Sequence, residues 1–99
     1  MSYQRPGKKI TLEEAEVIGL KALAFLADDE ARLGRFMALT GISADKLRAH
    51  AGETGTICAV LEYMASDESL LLVFAAENNL APERIGPALY LLSHGTSGL

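Results

Sequence analysis

Lys46, Arg48 and His50 lie within one short predicted helix, Ala44 to His50. The turn Gly41-Ile42-Ser43 precedes this helix, and a helix, a tight turn and a second helix bearing basic side chains are the parts of a helix-turn-helix motif. Lysine, arginine and histidine side chains donate hydrogen bonds to base edges and phosphates. The sequence therefore provides one alternative function, a small helix-turn-helix-like DNA-binding protein that uses the helix Ala44 to His50.

The charge of the chain counts against DNA binding. Nine Lys and Arg stand against 13 Asp and Glu, and three of the basic residues, Arg5, Lys8 and Lys9, fall within the first ten positions. The remaining positions hold six basic and 13 acidic residues, a net charge of −7, which repels phosphates at long range. Met37 also stands where such a motif usually has a small residue, and Asp45 places a carboxylate at the front of the second helix. We expect nucleic acid not to be the main partner.

The chain has one cysteine and two histidines, which are side chains that commonly bind zinc. Cys58 has apolar residues on both sides, so we expect a buried, unreactive thiol. His50 and His94 are single and far apart in sequence, and we predict no metal site. A lone cysteine forms no intrachain disulfide, which favours a reducing cytoplasm.

No motif of the sequence indicates catalysis or cofactor binding. The stretch Gly52 to Thr56 resembles a phosphate-binding loop, but it has no lysine, carries Glu53 and follows no predicted strand, so we interpret it as a linker. The acids of the first two helices have capping, helix-dipole or solubility roles; they are Glu13, Glu14, Glu16, Asp28, Asp29 and Glu30. We predict no catalytic residue, no cofactor and no enzymatic activity.

Helices must position these side chains. Thr11-Leu12-Glu13-Glu14 is a capping box that begins the first helix, whose apolar residues spread so widely that we expect burial on more than one side. Five further helices are expected, beginning after Asp28, at Ala44, near Thr56, after Ser66 and at Pro82, and Pro87 predicts a kink or a restart in the last. We divide the chain into a disordered basic leader (1–10), a single helical domain (11–93) and a flexible C-terminus (94–99).

Hydropathy separates this chain from membrane and secreted classes. No apolar run approaches the roughly 20 residues that span a bilayer, and no signal peptide is visible. The sequence thus predicts a cytoplasmic protein with no membrane contact.

The second part of the chain repeats the first at an offset of 38 positions. The identical pairs are Leu23 and Leu61, Ala27 and Ala65, Asp29 and Asp67, Glu30 and Glu68, Leu33 and Leu71, Phe36 and Phe74, and Ala38 and Ala76. Gly41, the expected end of the second helix, corresponds to Asn79. We therefore predict two similar three-helix halves, about 11–51 and 54–93.

The run Leu70-Leu71-Leu72-Val73-Phe74 covers every direction around the fifth helix, because adjacent residues are separated by about 100°. Such a helix needs neighbours on most sides, so we place it in the centre of the bundle. Arg32, Gly34 and Arg35 occupy the corresponding positions of the second helix, where Leu70, Leu72 and Val73 stand in the fifth. With 49% hydrophobic residues in 99, the chain has more apolar side chains than one copy can cover. We therefore predict self-association, with Leu70, Leu72 and Val73 as the possible interface.

Several segments resemble one known family. They are Thr11-Leu12-Glu13-Glu14-Ala15-Glu16, Ala22 to Asp29, Leu33-Gly34-Arg35-Phe36 and Leu39-Thr40-Gly41. The family is a set of small bacterial proteins, mostly alphaproteobacterial, classed as a domain of unknown function, and the likeness extends from Thr11 to Leu92. The resemblance implies a cytoplasmic bacterial protein, and it provides no activity, ligand or site residue.

These observations predict an all-α fold, a compact bundle of six helices built from two similar three-helix halves. The expected function is a non-enzymatic, cytoplasmic protein–protein interaction module, a homodimer that can also bind an unknown protein partner. DNA binding through Lys46, Arg48 and His50 is the alternative. A third possibility is a small-molecule binder with a pocket between the two halves.

Overall fold

The computed structural model describes residues 10–95. The predicted disorder of residues 1–9 and flexibility of residues 96–99 lie outside the described residues. Ile10, the last residue of the predicted leader, is half-buried and packs against the hydrophobic core.

The described residues form six α-helices and no strand, which confirms the all-α prediction. The helices are α1 Leu12–Ala27, α2 Glu30–Thr40, α3 Ala44–His50, α4 Thr54–Ala65, α5 Glu68–Glu77 and α6 Ile85–Gly95, and a 3-10 turn, Pro82–Arg84, precedes α6.

The capping box of α1 is present. The Thr11 hydroxyl accepts a hydrogen bond from the Glu14 amide at 3.0 Å, and the Glu14 carboxylate accepts one from the Thr11 amide at 3.0 Å. Two free amides of the first turn are thus satisfied, which fixes where the helix begins.

The N-caps of α2 and α5 lie one residue later than predicted, at Asp29 and Asp67 rather than at Asp28 and Ser66. Asp28 has helical dihedral angles and closes α1, whereas Asp29 is extended and accepts hydrogen bonds from two amides of α2. Ser66 closes α4 in the same way. Two residues therefore separate each pair of helices, Asp28-Asp29 in the first half and Ser66-Asp67 in the second, and the correction is the same in both halves.

Pro87 stands in the first turn of α6, after the 3-10 turn has ended. A helix amide at this position has no acceptor in its own helix, so proline removes no hydrogen bond there. The chain thus restarts as an α-helix at Ile85, one of the two outcomes predicted for Pro87. The helix then continues through Gly95, beyond the predicted start of the flexible C-terminus.

The centre of the bundle is formed by α1, α4 and α6, which pack against one another. The prediction that α5 is central is wrong: α5 packs on α4 and on the 3-10 turn, and only Phe74 and Ala75 of this helix are buried. The molecule measures 44 × 33 × 18 Å, and its shortest dimension is about two helix diameters. In so thin a body a helix at the edge keeps one uncovered side, however apolar it is.

Local structure repeats at the offset of 38. Gly41 and Asn79, which follow equivalent helices, both have positive φ, at 80° and 54°. One residue earlier in each half, a side chain donates a hydrogen bond to a helix carbonyl. The Thr40 hydroxyl donates to the carbonyl of Phe36 at 2.7 Å, and the side-chain amide of Asn78 donates to the carbonyl of Phe74 at 3.0 Å. Different side chains thus make the same bond at equivalent positions, which indicates a repeated architecture.

Two aromatic pairs show how the halves are related. The rings of Phe25 and Phe74 are 5.4 Å apart between centroids, and those of Phe36 and Tyr63 are 5.1 Å apart. The offset converts Phe25 into Tyr63 and Phe74 into Phe36, so each pair is the image of the other with the halves exchanged. Such reciprocal contacts are the mark of a two-fold rotation. The rotation does not extend to the third helices, because α3 has seven residues whereas α6 has 11 and packs on both α1 and α4.

Candidate interaction surface

The residues predicted to contact nucleic acid are all exposed on α3, but acids compensate two of them. The Arg48 guanidinium donates to the Asp45 carboxylate at 2.6 Å, and His50 Nδ1 lies 2.8 Å from Glu53 Oε2. Of the three, Lys46 alone has no ion pair with another described residue. The structure therefore places the three residues on one short helix, where the nearby acids Asp45 and Glu53 compensate most of their positive charge.

Cys58 is half-buried on α4. Burial raises the pKa of its thiol, and the negative charge of Glu62 raises it further. The thiol is therefore protonated at neutral pH and a poor nucleophile. Among residues 10–95, no three His, Cys, Asp or Glu side chains are grouped so that they could hold a metal ion.

The outer face of α5 consists of Ser69, Leu72, Val73 and Ala76, which lie at helical spacing i, i+3, i+4 and i+7. All four are exposed, Leu72 by 46% and Val73 by 44%. Two of the three predicted interface residues thus lie on this face. Leu70, the third, is half-buried and packs against the core.

The outer face of α2 provides an internal comparison. The offset of 38 relates the outer face of α5 to Ala31, Gly34, Arg35 and Ala38, all of which are exposed. None of these side chains is both large and apolar. The fold thus forms this kind of surface without large apolar residues, so Leu72 and Val73 are not required by the architecture.

A groove of about 370 Å³ runs between α2 and α5. Its lining is basic on the α2 side and mainly apolar on the α5 side, and comprises Arg32, Arg35, Tyr63, Asp67, Ser69, Leu70 and Val73. We call this surface the α2–α5 groove.

The two arginines of the α2–α5 groove differ in their contacts. The guanidinium carbon of Arg32 lies 4.0 Å from the ring centroid of Phe25, and its Nε lies 3.9 Å from an Asp29 carboxylate oxygen. The Arg35 side chain is exposed, and its guanidinium has no hydrogen bond or ion pair with any of residues 10–95. Arg32 is therefore held in place, whereas Arg35 is available to a partner.

The outer face of α1 consists of Val17, Leu20, Ala24 and Ala27, all exposed. Val17 is 46% and Leu20 is 45% exposed, so the prediction that α1 is buried on more than one side fails for this face. Spacings of three and four residues place these side chains in one stripe, opposite the buried residues Ala15, Ala22 and Leu26. That spacing is visible in the sequence, and it is the signal by which this surface could have been found.

A second groove, of about 380 Å³, begins beside the outer face of α1. It is lined by Glu13, Glu14, Val17, Ile18, Lys21, Leu80 and Arg84. An ion pair of 3.5 Å between Arg84 and Glu14 crosses it. Glu13 has no such partner among the described residues, and its carboxylate is exposed at the N-terminal end of α1.

Comparison with known proteins places the chain in a family without assigning an activity. No helix within residues 10–95 combines the length and the apolar character needed to cross a membrane. No curated protein and no solved structure matches the chain. A family model described as "Protein of unknown function (DUF3572)" matches residues 12–95. The match covers all six helices, and the chain belongs to this family of proteins of unknown function.

Proposed function

We propose that this protein is a non-enzymatic interaction module that associates with a second copy of itself through the outer face of α5. One observation carries the proposal: Leu72 and Val73 are exposed at positions where the equivalent helix α2 has Gly34 and Arg35. Because the architecture does not require large apolar side chains at these positions, a contact with another chain is the physical reason to have them.

The outer face of α5 can supply only part of the association energy. Fully burying a Leu or Val side chain contributes about 1.5–3 kcal/mol, so two side chains that are already half-covered add about 1 kcal/mol each, or about 4 kcal/mol for two copies. Association costs about 4–15 kcal/mol in lost translational and rotational freedom. Further surface must therefore contribute to the contact.

The proposal is tested by sedimentation equilibrium over the micromolar range. The wild-type chain is expected to approach the mass of a dimer, and the double variant Leu72→Ser/Val73→Ser is expected to remain monomeric. Leu39→Ser is the matched control, because Leu39 is a 66% exposed leucine outside the outer face of α5. A monomeric wild type, or a double variant that dimerises as tightly as the wild type, would contradict the proposal.

The two other functions remain predictions. DNA binding gains little from the structure, since acids face Arg48 and His50, and titration of duplex DNA at two salt concentrations would reveal real phosphate contacts as a steep salt dependence. A small molecule bound between the halves has two grooves available, the α2–α5 groove and the second groove beside α1, and both volumes are at the lower end of the range for ligand pockets.

We also propose that the protein is bacterial and cytoplasmic. The segments that resemble the family support the bacterial origin. The single cysteine, with a thiol that burial keeps protonated, suits a reducing compartment.

A further inference from the structure

Two apolar faces, the outer faces of α1 and α5, have no neighbour among residues 10–95, and a charged side chain of opposite sign lies near each. The outer face of α1 has the carboxylate of Glu13 at its N-terminal end. The outer face of α5 borders the α2–α5 groove, which Arg35 and Val73 both line. Glu13 and Arg35 are both exposed and without a partner among the described residues.

Pairing either face with itself is electrostatically unfavourable. Two antiparallel copies of α1 that meet between Leu20 and Lys21 would bring Glu13 close to Asp28 of the other copy. Two antiparallel copies of α5 would likewise bring Glu68 close to Glu77. Like charges in contact weaken an interface, and the chain already has an excess of acids.

Pairing the two faces with each other provides a contact between opposite charges, Glu13 with Arg35, that neither self-pairing provides. Val17 and Leu20 of α1 then meet Leu72 and Val73 of α5, while Glu13 meets the basic side of the α2–α5 groove. Asp67 also lies in the groove, but one of its carboxylate oxygens already accepts a hydrogen bond from the Leu70 amide as the cap of α5.

We propose that the outer face of α1 of one copy packs on the outer face of α5 and the α2–α5 groove of a second copy, with Glu13 beside Arg35. The reciprocal contact, α1 of the second copy on α5 of the first, closes a symmetric dimer. This inference rests on the proposed function, and it supplies the additional surface that the outer face of α5 lacks. In such a dimer both exposed apolar faces are covered.

Charge reversal tests this arrangement. Arg35→Glu and Glu13→Arg should each raise the dimer dissociation constant by at least about tenfold, because each places like charges together in both contacts. Mixing the two variants in equal amounts should restore a dimer, because the Glu at position 35 then meets the Arg at position 13 in one contact, and the other contact is that of the wild type. Lys46→Glu is the matched control, since Lys46 is an exposed basic residue of α3, a helix that contributes no residue to either face or to the α2–α5 groove.

Circular dichroism melting should show that all three variants fold, because none of the replaced side chains has a partner among residues 10–95. A wild type that is monomeric contradicts the proposed function itself. A wild-type dimer that Leu72→Ser/Val73→Ser dissociates but Glu13→Arg does not would overturn only the pairing of α1 with α5. A mixture of the two charge-reversed variants that stays monomeric would overturn it as well.

Discussion

Gly19 of α1 and Ile57 of α4 touch where the two helices cross, and a Cβ built on Gly19 would lie 2.9 Å from the Cβ of Ile57. The two residues are related by the offset of 38, so equivalent positions of the two halves meet each other here. A residue that contacts its own image lies close to the rotation axis. The reciprocal aromatic pairs indicate the same rotation, so the axis that relates the halves passes near this crossing.

Replacing Gly19 by Ala should destabilise the protein. The added methyl group meets the backbone-proximal part of a 1% exposed isoleucine, which has no room to move. Overpacking costs about 1–3 kcal/mol, and alanine returns about 1 kcal/mol through its higher helix propensity. We expect a net loss of up to about 2 kcal/mol in the free energy of unfolding, measured by denaturant titration.

Gly34→Ala is the control for that experiment. Gly34 lies inside α2, and no neighbouring atom comes within 4 Å of the place that an alanine methyl group would occupy, so this variant should gain about 0.5–1 kcal/mol. If Gly19→Ala were as stable as Gly34→Ala, the close crossing of α1 and α4 would be wrong.

The N-caps of α2 and α5 should both contribute to stability. The Asp29 carboxylate accepts hydrogen bonds from the Ala31 amide at 2.9 Å and the Arg32 amide at 3.2 Å, and the Asp67 carboxylate accepts one from the Leu70 amide at 3.2 Å. Asp29→Ala and Asp67→Ala are each expected to cost about 1 kcal/mol in thermal or chemical unfolding. Asp28→Ala should cost less than about 0.5 kcal/mol, because the Asp28 side chain makes no such bond. A larger loss at Asp28 than at Asp29 would place the cap of α2 at Asp28 instead.

Cys58 should react slowly in the folded protein. Burial, with a smaller effect of Glu62, raises the pKa of the thiol above its ordinary value of 9.0, so less thiolate is present at neutral pH than in the unfolded chain. The protonated form is favoured by folding, so stability from this group is present below about pH 9 and declines as the pH rises through the higher pKa of the folded state.

The rate of modification by a thiol-specific reagent checks this prediction. The folded protein should react several-fold more slowly than the same protein in denaturant, and the difference should narrow as the pH rises. Equal rates in the two states at neutral pH would show that Cys58 is neither shielded nor perturbed.

Much of the local structure could be predicted from the sequence because it depends on neighbouring residues. The capping box at Thr11, the left-handed helix end at Gly41 and the restart before Pro87 all have causes within four residues. The predicted caps of α2 and α5 are one residue early, since two adjacent polar residues compete for the cap and only their dihedral angles distinguish them.

The position of α5 could not be predicted in the same way. A run of five large apolar residues indicates that the helix is apolar all round, but not how many neighbours it has. The core is instead centred on α1, α4 and α6, and α5 keeps Leu72 and Val73 on its exposed side. The α2–α5 groove could not be predicted either. Its residues, such as Arg35 and Val73, are distant in sequence and come to line one groove through the rotation that relates the two halves.

The central claim, that the outer face of α5 joins two copies, is tested most directly by the mass of the protein in solution. Sedimentation equilibrium of the wild-type chain should show a species of twice the chain mass of 10.6 kDa, and Leu72→Ser/Val73→Ser should show the chain mass alone. A wild-type chain that stays at 10.6 kDa across the micromolar range would contradict the account.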